Sequence, residues 1–254
     1  MTEHLELIPY ENLVDDTTDD EGNKVKFTFD ELDKRVQQKL IDKAREHQPY
    51  DDWWDFTYED AITIGNLIGI EISSTVHKNT RGNEYSTPNI QFSGFCSQGD
   101  GCGYEGRLII SKLKNAVAQL STHVGNMEAV EGREENPLLS IAEAAETLYG
   151  DIVASLMAQR MAGIDQDHED YLNGIDLDDE LPICISTSRS YRTFVDSDLA
   201  SDEIENAMNE YVDNFASWIH HQLSEEYDYQ TSDEYIKESI VNDDLLYDED
   251  GSTL

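Results

Sequence analysis

The stretch from Ser93 to Gly106 gathers residue types that often do chemistry: two thiols (Cys96, Cys102), two hydroxyls (Ser93, Ser97), two carboxylates (Asp100, Glu105) and five glycines. Glycines at this density could cradle a phosphate on backbone N–H groups, but that chemistry needs a Lys-Ser or Lys-Thr pair and a helix directly after the loop. Neither follows, and the G-x-S-x-G spacing of a nucleophile elbow is absent. Cys96 or Ser97 could attack a substrate only beside a base, and the seven histidines are scattered without a distinctive spacing. The Gln98-Gly99-Asp100-Gly101 run is the signal of a tight turn between strands. A structural hairpin is the expectation here, with a catalytic loop as the competing reading, and no cofactor is expected.

Metal chemistry has two other places to look. Cys96, Cys102 and Cys184 with one histidine would complete a four-ligand zinc site, yet no C-x-x-C or H-x-x-x-H pair anchors one. Asp165, Asp167 and Glu169 alternate as the ligands of a calcium loop do, and so do Asp176, Asp178 and Glu180. Asp170, however, stands in the sixth position, where such a loop needs glycine. His220 and His221 followed by Glu225 do not form H-E-x-x-H. Three cysteines that cannot form a full disulfide framework read as free thiols in a reducing compartment.

The carboxylates carry the larger signal. Fifty-five Asp and Glu oppose seventeen Lys and Arg over 254 residues, a formal charge of −38. Residues 161–254 hold 26 acids and three bases. Such self-repulsion can reflect solvation in a salty cytoplasm, or disorder, although 38% apolar residues with three Trp and thirteen Tyr supply a core. It can also reflect carboxylates that stand in for phosphates, since duplex DNA carries one charge per ~1.7 Å of axis. Thirty-eight charges would match about 65 Å of duplex, more than the ~45 Å diameter of a compact chain of this length. Mimicry therefore requires the acids to be gathered on one face, or an elongated or dimeric molecule. A net anion of this size avoids nucleic acid and acidic membranes and seeks basic protein surfaces. The acidic N-terminus MTEHLELIPYENL is no secretory signal.

Patterning places these residues on an α+β frame: a small antiparallel sheet with a Gly-rich hairpin, packed by amphipathic helices, and an acidic helical C-terminal region. Four segments are expected: a flexible acidic stretch over 1–26, an α+β core over 27–163, an acidic loop, strand and amphipathic helix over 164–227, and an acidic tail over 228–254. A helix from Asp30 to His47 reads as opened by a Thr28/Glu31 capping box. It carries Lys34, Arg35, Lys39, Lys43 and Arg45, which are expected to meet the acidic C-terminal region or a second subunit. A second helix runs through Trp53, Trp54 and Phe56, read as core, to a stop at Gly69. Ile70–Ile72 and Ile90–Cys96 read as strands with a loop from His77 to Pro88 between them, and Cys102–Ile110 as the strand that closes the hairpin. Helices follow from Leu113 and from Leu138 to Met161, then a strand over Ile183–Ser186. A clearly amphipathic helix starts at Asp202, and a short one spans Asp233–Val241.

Three places resemble a family of uncharacterised proteins from bacteriophages and prophages, some loosely labelled antitoxins. They are Trp53-Trp54-Asp55-Phe56-Thr57-Tyr58-Glu59-Asp60-Ala61 with Ile68-Gly69-Ile70, Phe92-Ser93-Gly94-Phe95 with Ser97-Gln98-Gly99-Asp100-Gly101, and Trp218-Ile219 through Glu225-Tyr227 and Ser232-Asp233-Glu234 to Asp250-Gly251. The resemblance implies a phage setting and no mechanism. In composition alone the chain is similar to DNA-mimic anti-restriction proteins.

The expected function is non-catalytic: a phage-encoded acidic inhibitor in the host cytoplasm that occupies the nucleic-acid-binding surface of a basic defence protein. Its contacts are expected from Asp165, Asp167, Glu169, Asp170, Asp176, Asp178, Asp179 and Glu180, from Asp202, Glu203, Glu205, Glu210 and Asp213, and from Glu225, Glu226 and Asp228. Carboxylates three or four apart on a helix lie about 5–6 Å from each other, near the spacing of successive phosphates. The chain itself binds neither nucleic acid nor membrane in this reading, and a homodimer would lengthen the acidic surface. An antitoxin-like partner of a basic toxin is the alternative, and an enzyme or ligand-binding protein using loop 93–106 is third.

Overall fold

The computed structural model describes residues 26–49, 52–124, 137–161, 182–187, 194–196 and 202–252. The chain is α+β and divides into two units, Met1–Trp53 with Tyr227–Leu254, and Trp54–Glu226.

In the first unit the two ends of the chain share one core. Phe27 and Tyr247 exchange both backbone hydrogen bonds at 2.9 Å. The Glu31 carboxylate accepts from the Thr28 amide at 2.9 Å and from its hydroxyl at 3.0 Å, so the capping box exists, but it closes a 3-10 turn over Phe29–Glu31. The α-helix begins later, at α1 (Lys34–Arg45), because Asp33 accepts from the Arg35 amide and supplies a second cap. A Ser232 cap opens α7 (Asp233–Asn242), which follows α6 (Asp202–Gln230) after a two-residue turn; the expected 227/228 boundary falls inside α6. Phe29, Leu32, Ile41, Ile236 and Tyr247 form the core. Arg45 joins Asp233, so α1 does meet a C-terminal acid, and in the opposite sense Lys237 of α7 joins Asp30 of the 3-10 turn. Lys34, Arg35, Lys39 and Lys43 are exposed, and none of them forms an ion pair among the described residues.

The second unit is built on a sheet whose central strand is β5 (Gly101–Ile109). On one side of it lies β6 (Pro182–Ser186), followed by β7 (Phe194–Asp196). The other side is shared end to end by β1 (Ile70–Ile72), opposite 106–108, and β4 (Ile90–Ser93), opposite 101–104. Between them the chain leaves the sheet as a two-stranded ribbon, β2 (Ser74–Lys78) and β3 (Glu84–Pro88), where a loop is expected from the sequence. Three backbone hydrogen bonds fix the branch point: Ser73 donates to Glu105, Glu105 to Asn89, and Asn89 to Ser73, at 2.8, 3.1 and 2.8 Å. Asn79 closes the ribbon by accepting from the Arg81 and Asn83 amides. Cross-strand pairs hold its sides, Lys78 to Glu84 at 3.0 Å and His77 stacked on Tyr85.

Among the described residues, five helices of this unit cover the sheet: α2 (Asp55–Leu67), α3 (Ile110–Leu113), α4 (Ala116–Val124), α5 (Pro137–Met161) and α6 up to Glu226. α2 ends at Gly69, whose φ of +88° only glycine adopts without strain. It buries Thr57, Tyr58, Ala61, Ile64 and Gly65, which turns Phe56 outward: that ring is 78% exposed and is not core. Along α6, Ile204, Met208, Tyr211, Phe215 and Ile219 recur at helical spacing and are buried.

Two phenols buckle α6 to the rest of the unit. Tyr104 of β5 donates to the Val212 carbonyl at 3.1 Å, and Tyr211 donates to the Ile68 carbonyl at 2.6 Å. Burial is the main force pushing both phenol pKa values up, and for Tyr104 the neighbouring Tyr211, Cys102 and Asp213 add to it. Above the ordinary phenol pKa of about 10 the unfolded chain releases these protons while the folded chain keeps them. The folded state then binds more protons, so stability present in full below about pH 10 falls as pH rises. Urea unfolding at about pH 8 and about pH 11 is expected to show that fall, and Tyr211→Phe should remove part of it; equal stability at both pH values would contradict the clamp.

Candidate functional site

The eight candidate acids from Asp165 to Glu180 lie outside the described residues, whereas the other eight all sit on α6. They do not form one row. Asp202, Glu203 and Glu205 occupy the first turn, where carboxylates also steady the positive end of the helix dipole. Glu210 is exposed and Asp213 half-buried, and then no charged side chain other than histidine appears until Glu225. From 213 to 225 is about 18 Å at 1.5 Å per residue, and from 202 to 228 about 39 Å. Eight charges over that length is about one per 5 Å, below the one per 3.4 Å of a single DNA strand. α6 thus offers two separated acidic clusters.

The second cluster forms a pocket. A cavity of about 250 Å³ is walled by Trp218, Gln222, Glu225 and Glu226 of α6 and by Phe56, Thr57 and Asp60 of α2. Each helix contributes neighbours three or four apart, which is why sequence places Glu225 and Glu226 together but cannot bring Asp60 to them. Glu225 accepts from Gln222 at 2.9 Å and lies 3.4 Å from His221. Three carboxylates with an exposed Phe56 ring suit the head of a lysine or arginine, which carboxylates pair and an aromatic face attracts. Asp60 and Phe56 are the residues that sequence reading misses.

In the glycine-rich loop Asp100 and Ser93 are turned in to cap the backbone, while Cys96, Ser97 and Gln98 are exposed. One Asp100 oxygen accepts from the Cys96 and Ser97 amides at 2.9 and 2.6 Å, and Ser93 accepts from the Gly101 amide at 3.3 Å. A Cβ on Gly94 would stand 2.9 Å from that same Asp100 oxygen. Strand β4 ends at Ser93, short of the expected Cys96, because Asp100 folds residues 94–100 into this turn. His220 Nε2 lies 3.0 Å from the Gly94 carbonyl, which can only accept, so this nitrogen carries the proton. The His220 ring packs on Phe95, Phe95 stacks on Phe92, and Phe92 meets Trp54 edge-on. These contacts describe a loop pinned to α6 and α2. Cys102 stands opposite Phe92 and Cys184 opposite Arg107, so the two thiols sit at different levels of the sheet.

A family model matches residues 53–233, nearly the span of the second unit. The chain belongs to the family described as a domain of unknown function, DUF8835. No curated protein and no solved structure matches it. The DUF8835 match takes in the sheet, the ribbon, the glycine-rich loop and all of α6; it excludes α1 and ends at the first residue of α7. No described helix is long and apolar enough to cross a membrane.

Proposed function

We propose that this DUF8835 chain is a non-catalytic acidic inhibitor, phage-encoded and acting in the host cytoplasm, that binds the nucleic-acid-binding surface of a basic bacterial protein such as a restriction or other defence factor. The observation that carries the reading is the convergence of Glu225, Glu226 and Asp60 around one pocket in a chain of charge −38. The separation of the α6 clusters argues for imitation of a few phosphates at two points, with the pocket taking an individual Lys or Arg of the target. The phage setting rests on the sequence resemblance. The turn-forming role of Asp100 favours this reading over an enzyme built on loop 93–106.

The test begins with capture of a partner from bacterial lysate on the immobilised chain and proceeds with the purified pair. Replacing Glu225 and Glu226 together by Gln is expected to weaken the complex about 10- to 100-fold, the worth of one or two charge-assisted hydrogen bonds. Calorimetry would measure it. Unchanged affinity for the folded double variant removes the pocket from the interface. An antitoxin-like protein masking a basic toxin would pass this test but would leave nucleic-acid binding by its target untouched.

A further inference from the structure

The ribbon of β2 and β3 leaves the sheet with both of its long edges open. Almost all of its side chains are exposed, Val76 by 63% and Tyr85 by 55%. A hairpin of two strands that buries neither face is marginal by itself in water. Two backbone hydrogen bonds, Asn79 to Asn83 and Asn89 to Ser73, fix its parity: the odd-numbered residues of β2 turn their N–H and C=O groups toward β3. Those of Ser74, Val76 and Lys78 therefore point away from it, and none of them has a partner among the described residues. The outer edge of β3 is blunted, because Pro88 has no N–H and Glu84 sets a carboxylate there. The β2 edge has neither device. Residues 72–83 contain no acid and two cations, Lys78 and Arg81, in a chain of charge −38. Arg81, at the turn, is exposed and forms no ion pair among the described residues. Nor does Glu105, exposed at the ribbon's base, where its carboxylate accepts from the Asn89 side chain at 3.4 Å.

We infer that the β2 edge pairs with the β2 edge of a second copy, antiparallel about a two-fold axis at Val76, so that two ribbons make one four-stranded sheet. This register engages all three outward residues: Val76 meets Val76 of the other copy and Ser74 meets Lys78, through about six backbone hydrogen bonds. Moving the axis to Thr75 or His77 loses about a third of them. Across the four strands one row then holds Glu84, Lys78, Ser74 and Pro88, the next Tyr85, His77, Thr75 and Thr87, and the central row Ser86 and Val76 of each copy. No row contains two carboxylates, and each exposed valine gains a β-branched partner. The same register carries the turn of each ribbon to the base of the other, which brings Arg81 to the Glu105 carboxylate twice over. A two-fold contact requires such self-complementarity, and a foreign strand would not. The join spans only about 17 Å of strand, so the dimer belongs with weak, reversible contacts, with a dissociation constant on the order of 10–100 µM.

Sedimentation of the full chain at about 0.3 M salt, where repulsion between the copies is screened over less than ~10 Å, tests this without the proposed target. A species of about 58 kDa, twice the chain mass of 28.9 kDa, should grow in as the concentration rises to about 500 µM. Val76→Pro removes an outward N–H that the ribbon itself does not use, so the monomer tolerates it, while the dimer dissociation constant should rise at least about tenfold. Arg81→Glu should weaken the dimer about 3- to 10-fold, and Glu105→Arg added to it should restore the affinity. Amide exchange should slow with concentration at Ser74, Val76 and Lys78 and stay unchanged at Thr75 and His77, which are already bonded across the ribbon. A 28.9 kDa species at every concentration up to about 500 µM would overturn the inference, as would a dimer that Val76→Pro leaves intact. Failure of Glu105→Arg to rescue Arg81→Glu would overturn the register on which it stands.

Discussion

Alanine at position 106 is expected to lower the melting temperature by about 6–12 °C, the equivalent of about 3 kcal/mol in a chain of this size. Gly106 sits in β5 opposite Ile72 of β1 and Ile185 of β6, so strands flank it on both sides. A Cβ built there would stand 2.2 Å from the Glu71 carbonyl oxygen and 3.1 Å from the Ile72 Cα. Those are backbone atoms of a paired strand and cannot swing aside as a side chain can. Relief requires β1 to move away from β5, which strains the Gly69 turn and the Glu71 carboxylate held by Lys112 at 2.7 Å and Arg107 at 2.8 Å. These two cations, Lys112 foremost, hold the Glu71 pKa below the usual carboxylate range. Gly150→Ala in α5 is the control of opposite sign: nothing lies within 4 Å of its Cβ, and alanine is favoured over glycine in a helix by about 0.5–1 kcal/mol. Thermal unfolding followed by circular dichroism separates the two, and a Gly106→Ala protein as stable as wild type would show that β1 does not press on β5 as described.

The complex with a basic partner is expected to lose about 10- to 100-fold in affinity between about 50 and 200 mM salt. A protein that grips duplex DNA through six to ten phosphates loses about 10³–10⁵ over that range, mainly by releasing condensed counterions. Along α6 the charges stand about 5 Å apart, three times farther than the ~1.7 Å of duplex DNA, so fewer ions are condensed and ordinary screening dominates. The loss should remain well above the less than threefold change of an interface made through apolar contact. Titrations at four or five salt concentrations measure the slope; a flat line would contradict a charge-paired interface, whether the target is a nucleic-acid-binding protein or a basic toxin.

Much of the fold was legible because burial leaves a periodic trace. The apolar stripe of α6 from Ile204 to Leu223, the Gly69 stop of α2, the Asp100-Gly101 turn and the long α5 all follow from pattern and turn chemistry. The ribbon was not legible, since alternation arises only when one face of a strand is buried, and nearly every residue of β2 and β3 is exposed. α1 starts four residues after the expected Asp30 because Thr28/Glu31 and Asp33 are two valid caps in succession, the first of which closes a 3-10 turn. The shared core of the first unit depends on Phe27 meeting Tyr247 across most of the chain, and no local signal marks such a pairing. The candidate site was half visible. Adjacent carboxylates on one helix can be counted from sequence, whereas the arrival of Asp60 and Phe56 beside Glu225 and Glu226 depends on how α2 packs against α6.

The central claim is that the acidic surface and a nucleic acid compete for the same cleft of the target. Fluorescence anisotropy of a labelled duplex bound to the captured partner tests this most directly, with the full chain added as competitor at low salt. The account predicts that the label is released in proportion to chain added, and that the Glu225→Gln, Glu226→Gln double variant releases it only at concentrations about 10- to 100-fold higher. A ternary complex, in which the chain binds while the duplex keeps its anisotropy, would contradict it.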